Sequence, residues 1–349
     1  MAMTAAITLA ALLCSFWAVL AQNCDIYKGS WVRDDSYPLY DSASCPFNRR
    51  EFDCKRYGRP DGDYLKFRWQ PADCDLPKFD GENLLRRWAG KKVMLVGDSL
   101  TLNQYISLLC MVHAAVPNAA YNYTTDSFGT HTATFQEYNV TVVYFLSHYL
   151  VDIVREEIGR VLKLNSMSSS SVWLTADLLV FNTGHWWYTK GASQPWDYIQ
   201  DGQQILKDMD RTEAFSHALQ TWADWVDSTV DPATKRLFFT GLSPSHYNGA
   251  EWGEAGRTCA GQTEPTSPSS FSGGPIPQQV IVKELLQVKA KRVQLLDISY
   301  LSQLRKDAHP SKYNGVDFSN DCSHWCVAGL PDTWNQLFYA ALTDQTVPI

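Results

Sequence analysis

Clustered Lys and Arg are missing from this sequence. Its 30 Lys and Arg are outnumbered by 37 Asp and Glu over 349 residues, for a formal net charge of −7. No basic stripe follows the chain, so a phosphate backbone has nothing to neutralise it, and nucleic acid is excluded as an expected partner. A second long apolar run is also missing. After the first 21 residues no stretch approaches the length of a membrane span, which excludes a multispanning protein. No internal repeat is visible, which excludes solenoids and propellers. Charged residues make up 19% and hydrophobic residues 45%. That balance can bury a sizeable core and excludes wholesale disorder.

What the sequence does contain begins with an apolar segment. Residues Ala5 to Ala21 carry no charge, and Val19-Leu20-Ala21 suits signal peptidase. Residues 1–21 are expected to be a signal peptide, with an uncleaved signal anchor as the alternative; any membrane contact is expected through that segment only. Of the nine Cys, Cys14 lies inside it. The other eight are Cys24, Cys45, Cys54, Cys74, Cys110, Cys259, Cys322 and Cys326. An even number of Cys behind a secretory leader points to four disulfides, with the pairing left open. Asn122-Tyr123-Thr124 and Asn139-Val140-Thr141 are N-glycosylation sequons, so glycans are expected on Asn122 and Asn139.

Residues 22–80 are rich in Cys, Asp, Arg, Pro and Tyr and show little periodicity, as a loop-rich region stapled by disulfides would. A second region, 81–349, reads differently. Short β-branched or Leu/Phe-rich runs recur at Lys91 to Val96, Val140 to Phe145, Asp177 to Phe181, Arg236 to Thr240 and Arg292 to Ile298. Continuous apolar runs this short fit strands of a parallel sheet buried on both faces. Helical spacing appears between them, at Leu102 to Val112, from Ile205-Leu206 through Phe215, Ala218-Leu219 and Trp222, and at Val280 to Val288. Alternation of this kind implies an α/β three-layer sandwich. The Ser-, Gly- and Pro-rich stretch Gly261 to Pro277 reads as a mobile loop.

Four clusters carry candidate chemistry, and three of them follow an expected strand, where open parallel sheets bind ligands. Gly97-Asp98-Ser99 joins a strand to a helix and offers a serine beside unpaired backbone N–H groups, although an ordinary helix cap has the same letters. Asp321-Cys322-Ser323-His324 places a carboxylate and an imidazole three residues apart, the base and orienting acid that a serine nucleophile needs. Asn182-Thr183-Gly184-His185-Trp186-Trp187 offers an amide and a close-approach glycine for an oxyanion, and two rings for a sugar. Leu242 to Tyr247 is a further candidate wall; His246 there and His309 compete with His324 for the role of base. A metal site at Cys322, His324 and Cys326 is not expected, because Cys in an oxidising compartment pairs.

Taken together, these motifs resemble the trichome birefringence-like family of plants. The resemblance runs from Cys24-Asp25-Ile26-Tyr27 and Trp31-Val32 through Gly58-Arg59-Pro60-Asp61 and Trp69-Gln70-Pro71. It then takes in Gly97-Asp98-Ser99, the Asn182 to Trp187 block, His309-Pro310-Ser311, and Asp321 to Cys326 with Trp334-Asn335. It implies an SGNH/GDSL-like α/β/α fold with a disulfide-rich N-terminal region, used for polysaccharide O-acetylation. It implies Ser99 as nucleophile, His324 as base and Asp321 as orienting acid. The oxyanion would be held by the Ser99 backbone, Asn182 and Gly184, and substrate by Trp186, Trp187, His246 and His309. The implied disulfides are Cys24–Cys74, Cys45–Cys110, Cys54–Cys322 and Cys259–Cys326. No bound cofactor is expected; the acetyl group would come from acetyl-CoA or another acetyl carrier. The expected acceptor is xylan, at xylosyl 2-O or 3-O positions, with the Golgi lumen or membrane as the site of action. The alternative is a secreted wall-polysaccharide acetylesterase in the apoplast with the same three residues.

Overall fold

The computed structural model describes residues 24–316 and 320–343. The expected signal peptide or anchor lies outside them. Two strands, β1 (Gly29–Arg33) and β2 (Phe67–Pro71), pair antiparallel in the Cys-rich region. The chain then forms β3 (Lys92–Gly97), β4 (Tyr121–Thr125), β5 (His131–Phe135), β6 (Val140–Leu146), β7 (Asp152–Glu156), β8 (Gly159–Lys163), β9 (Leu178–Phe181), β10 (Tyr198–Asp201), β11 (Gln204–Leu206), β12 (Arg236–Thr240) and β13 (Gln294–Leu296). The main sheet has the order β13-β12-β9-β3-β6-β5-β4. From β13 to β6 every pairing is parallel; β5 and β4 add an antiparallel margin. β7, β8, β10 and β11 make a second, smaller sheet.

All five strands expected from apolar runs lie in the main sheet, with ends shifted by a residue or two. The reason they read as continuous runs is visible in β3. Val93 and Leu95 belong to the core on one face, while Met94 and Val96 belong to the core on the other. A strand covered on both faces has no polar side to show. The helices Ser99–Ala115 and Leu330–Thr343 pack on one face, and Arg211–Thr229 and Pro277–Val288 on the other. This is the three-layer α/β arrangement the sequence implied. No helix of the described residues is long and apolar enough to cross a membrane.

One helical expectation needs correcting. Ile205 and Leu206 lie in β11, the second arm of a hairpin turned at Gly202, whose φ is +56°. The following helix begins only at Arg211, because the Asp210 side chain accepts from the Thr212 and Glu213 amides and fixes the start there. The stretch 261–277 is irregular up to the start of the helix at Pro277, and is tied down where Thr266 N donates to the Leu304 carbonyl and Ser272 N to that of Glu251.

The disulfides also differ in part. Cys24–Cys74 and Cys45–Cys110 pair as the resemblance implied, but the other two bridges are Cys54–Cys326 and Cys259–Cys322. Backbone pairing explains the exchange. Val327 N donates to the Phe52 carbonyl, which lays Cys326 beside Cys54. His246 N donates to the Cys322 carbonyl and Cys259 N to that of His246, which gathers Cys259 and Cys322 on the opposite flank. Four bridges, three of them buried, are what an oxidising, secretory-type compartment supplies. Among the described residues no three His, Cys, Asp or Glu side chains group so as to hold a metal ion.

Candidate active site

In the main sheet β3 is flanked by β6 and β9, reached by crossovers in opposite directions, so a crevice opens at its carboxyl end. Gly97-Asp98-Ser99 fills that position. Gly97 is required by space: a Cβ there would sit 2.1 Å from Thr101 Oγ1 and 2.6 Å from the Asn182 carbonyl oxygen. Asp98 caps the helix, with Oδ1 accepting from Leu100 N at 2.9 Å. Ser99 is the helix's first residue, so no carbonyl one turn earlier can take its N–H.

His324 arrives from a tight turn near the other end of the chain. Its Nε2 lies 2.8 Å from Ser99 Oγ and its Nδ1 2.9 Å from Asp321 Oδ2. The other oxygen of Asp321 accepts from the Ser323 and His324 amides at 3.0 and 3.1 Å, so one carboxylate both shapes the turn and aims the ring. Asn103, one turn along the Ser99 helix, bonds both backbone groups of Trp325: its Oδ1 accepts from Trp325 N at 2.7 Å and its Nδ2 donates to Trp325 O at 3.1 Å. The helix bearing Ser99 and the turn bearing His324 are thereby fixed to each other. Phe52 packs on the His324 ring, with centroids 5.7 Å apart.

The electrostatics follow from this enclosure. Burial works against the His324 imidazolium, but the hydrogen bond it donates to Asp321 and the charges of Asp321, Asp98 and Glu51 together outweigh it and hold His324 above its ordinary range. Burial would raise Asp321, yet its bonds from His324 and the two amides hold it well below the usual carboxylate range. Asp98 Oδ2 is buried and has no partner among the described residues.

Several expected site residues take other parts. Asn182 gives both amide hydrogens away, to the Thr240 carbonyl at 2.8 Å and the Gly241 carbonyl at 3.2 Å, so its side chain clamps β9 to β12 and has none left for an oxyanion. Trp187 is fully buried against Tyr149 and Phe215 and faces no substrate. His246 and His309 are likewise buried and bond each other rather than a ligand. Gly184, at φ +155°, lies where a Cβ would meet Leu242 Cδ1 at 2.1 Å. Trp186 is half-buried beside His148. Asn122 and Asn139 are both exposed.

Two histidines were not singled out by sequence. Burial pushes His185 below its ordinary range, with Asp98 and Asp321 opposing and His324 reinforcing the effect, so its ring shares the field of the Ser99–His324 pair. His148 is similarly pushed down by burial and opposed by Asp98. The rule that located three of the clusters, a position just beyond a strand's carboxyl end, applies to His148 after β6 as well. A separate cavity of about 660 Å³ lies between residues 38–65 and Ala328, and Ser99, Asp321 and His324 do not line it.

Residues 76–341 match the PC-esterase model, described as a GDSL/SGNH-like acyl-esterase family found in Pmr5 and Cas1p, and residues 22–75 match the PMR5 N-terminal domain. Protein trichome birefringence-like 38 of Arabidopsis thaliana is 53% identical over 93% of this chain and 85% of its own length. The chain belongs to the trichome birefringence-like family. A second relative, trichome birefringence-like 41 of the same plant, is 53% identical over 91% of the chain and 90% of its own length. The more distant trichome birefringence-like 6 is 40% identical over 92% of the chain and 71% of its own length. The PC-esterase domain places this family member among acyl-transfer enzymes.

Proposed function

We propose that the chain is a polysaccharide O-acetyltransferase that moves acetyl groups to the 2-O or 3-O positions of xylosyl residues in xylan, through an acetyl-enzyme on Ser99. The observation that carries this reading is the unbroken row Ser99 Oγ–His324–Asp321, with contacts of 2.8 and 2.9 Å. Asp321 accepts a hydrogen bond from Nδ1–H, which stays on the ring, and so leaves Nε2 to accept from the serine hydroxyl. Ser99 attacks the acetyl carbonyl of the donor, acetyl-CoA or another acetyl carrier, as its proton passes to His324. The Ser99 backbone N–H at the helix start and the Gly184 backbone steady the oxyanion. The leaving group takes the proton from His324. A sugar hydroxyl then gives its proton to His324 and attacks the acetyl-enzyme, restoring Ser99 and giving ping-pong kinetics. Incubating the purified chain with an acetyl donor and xylo-oligomers tests it. Acetylated oligomer, absent with Ser99→Ala, is expected; a folded chain that yields none overturns the reading.

A second reading keeps the same three residues and lets water take the acetyl group. The acyl-esterase description of the family model favours it. Release of acetate from acetylated xylan or pectin, without transfer to added oligomer, would select it. We place the transferase in the Golgi lumen and the esterase in the apoplast; a fluorescent fusion imaged before and after plasmolysis separates the two.

A further inference from the structure

Two histidines outside the Ser99–His324–Asp321 row touch each other directly behind it. His309 Nδ1 is 2.6 Å from the His324 carbonyl oxygen, His309 Nε2 is 2.6 Å from His246 Nδ1, and His246 Nε2 is 2.9 Å from the Gln303 carbonyl oxygen. Both ends of this second row are carbonyl oxygens, which only accept. Each end therefore needs an N–H, and the two nitrogens in the middle need one proton between them. Three ring protons satisfy all three contacts, whereas two neutral imidazoles bring two.

We propose that the His246–His309 pair carries one proton beyond its neutral complement, and that this proton makes the pair a positioning device for His324. With it, His309 Nδ1–H grips the carbonyl of the proposed base. Without it, one contact sets lone pair against lone pair and the turn from Asp321 to Cys326 loosens. The inference rests on reading His324 as the base.

The surroundings suit a single caged cation. His246 and His309 are 0% and 2% exposed. Trp325 stacks on His309 with centroids 3.8 Å apart, and Trp252 meets His246 edge-on at 5.4 Å, so ring faces and edges line the pair. The charged groups nearby are already matched. Arg59, which donates to the His309 carbonyl, pairs with Asp61; Arg305 pairs with Asp307, Lys306 with Glu254, and His324 with Asp321. Glu251 and Tyr247 flank the same elements. Burial pushes both imidazoles down, His246 to about 4, with Asp307 opposing and Lys306 reinforcing at His246, and Asp321 opposing and His324 reinforcing at His309. Burial therefore opposes even the first extra proton, while the three contacts with their two carbonyl ends favour it; as pH rises the pair releases it as a unit.

Nuclear magnetic resonance on the full chain with ¹⁵N-labelled histidine counts the protons directly. At acid pH three ring protons are expected on the pair, one of them strongly deshielded between the two rings. As pH rises one is lost, and the His324 Nδ1–H resonance moves with it. Two protons at every pH at which the chain is folded, or a His324 signal indifferent to the change, overturns the proposal. The rate at which a fluorophosphonate labels Ser99 gives a second readout. His309→Phe keeps the stacked ring but not the grip, and labelling should slow about threefold to tenfold, as loss of one net hydrogen bond implies. His309→Gln donates without titrating; it should recover the rate and delete the pair's inflection from the pH profile. Unchanged labelling and an unchanged profile in His309→Phe also overturn the proposal. Failure of Ser99 to label in the parent chain would instead count against the acyl-enzyme, and the proton count would still judge the pair.

Discussion

His324 sits under two opposed demands. Enclosure by Phe52 and the turn disfavours its cation, and the Asp321 carboxylate favours it more strongly. In the proposed role His324 must be neutral to take a proton from Ser99, so kcat/KM should rise with pH through an apparent value above the ordinary 6.5 of histidine. Asp321→Asn removes the dominant favourable partner; the inflection should move down and kcat should fall by about 10⁴, the scale for losing the correct tautomer. A pH–rate series on both chains checks the pair of expectations, and an inflection that stays put would contradict the role given to Asp321. The Asp-x-x-His spacing made this pair legible in the sequence, because three residues suffice for a carboxylate to reach both the ring and its own turn. Asn182 was misread for a complementary reason. Its position past β9 is right for a site, but which acceptors surround an amide depends on β12, a strand far away in sequence.

Between elements, the contact that aligns the site is Asn103 with Trp325. Asn103 is wholly buried, and both partners are backbone groups with no other partner among the described residues. Asn103→Ala should therefore cost about 2–5 kcal/mol, the penalty for two buried groups left unpaired, and should slow acylation of Ser99 as the turn drifts. Denaturant unfolding and fluorophosphonate labelling measure the two effects; a variant as stable as the parent would show that water replaces the amide. Of the elements themselves, the five parallel strands were legible because burial on both faces writes an unbroken apolar run. The antiparallel margin was not. His131, Ala133 and Phe135 alternate with Thr132 and Thr134, and a five-residue alternation among Tyr, Asn and Thr is as easily a loop.

Across the whole molecule, the Cys-rich region serves the site through Cys54–Cys326, which spans 272 residues and ends two residues past His324. Cys259–Cys322 holds the other side of the same turn. Replacing Cys54 and Cys326 together by Ser should lower stability by about 2–5 kcal/mol and should slow Ser99 labelling as well. Non-reducing peptide mapping should recover 54 joined to 326 and 259 to 322; the alternative linkage of 54 to 322 would refute the arrangement. The number of bridges was legible from the count of Cys. The partner of each was not, because Cys322 and Cys326 stand four residues apart on one turn and only the strands they lean on tell them apart.

The distance along the chain between Ser99 and His324 sets an order of events during synthesis. Ser99 leaves the ribosome 225 residues ahead of His324. At common translation speeds that is a delay of roughly 10–50 s. Throughout it the serine has a helix start and no proton acceptor. In the finished polypeptide the bridges Cys54–Cys326 and Cys259–Cys322 close on either side of His324. On the reading proposed above, Ser99 gains its proton acceptor only once the segment from Asp321 to Cys326 has been made and has folded against the helix start.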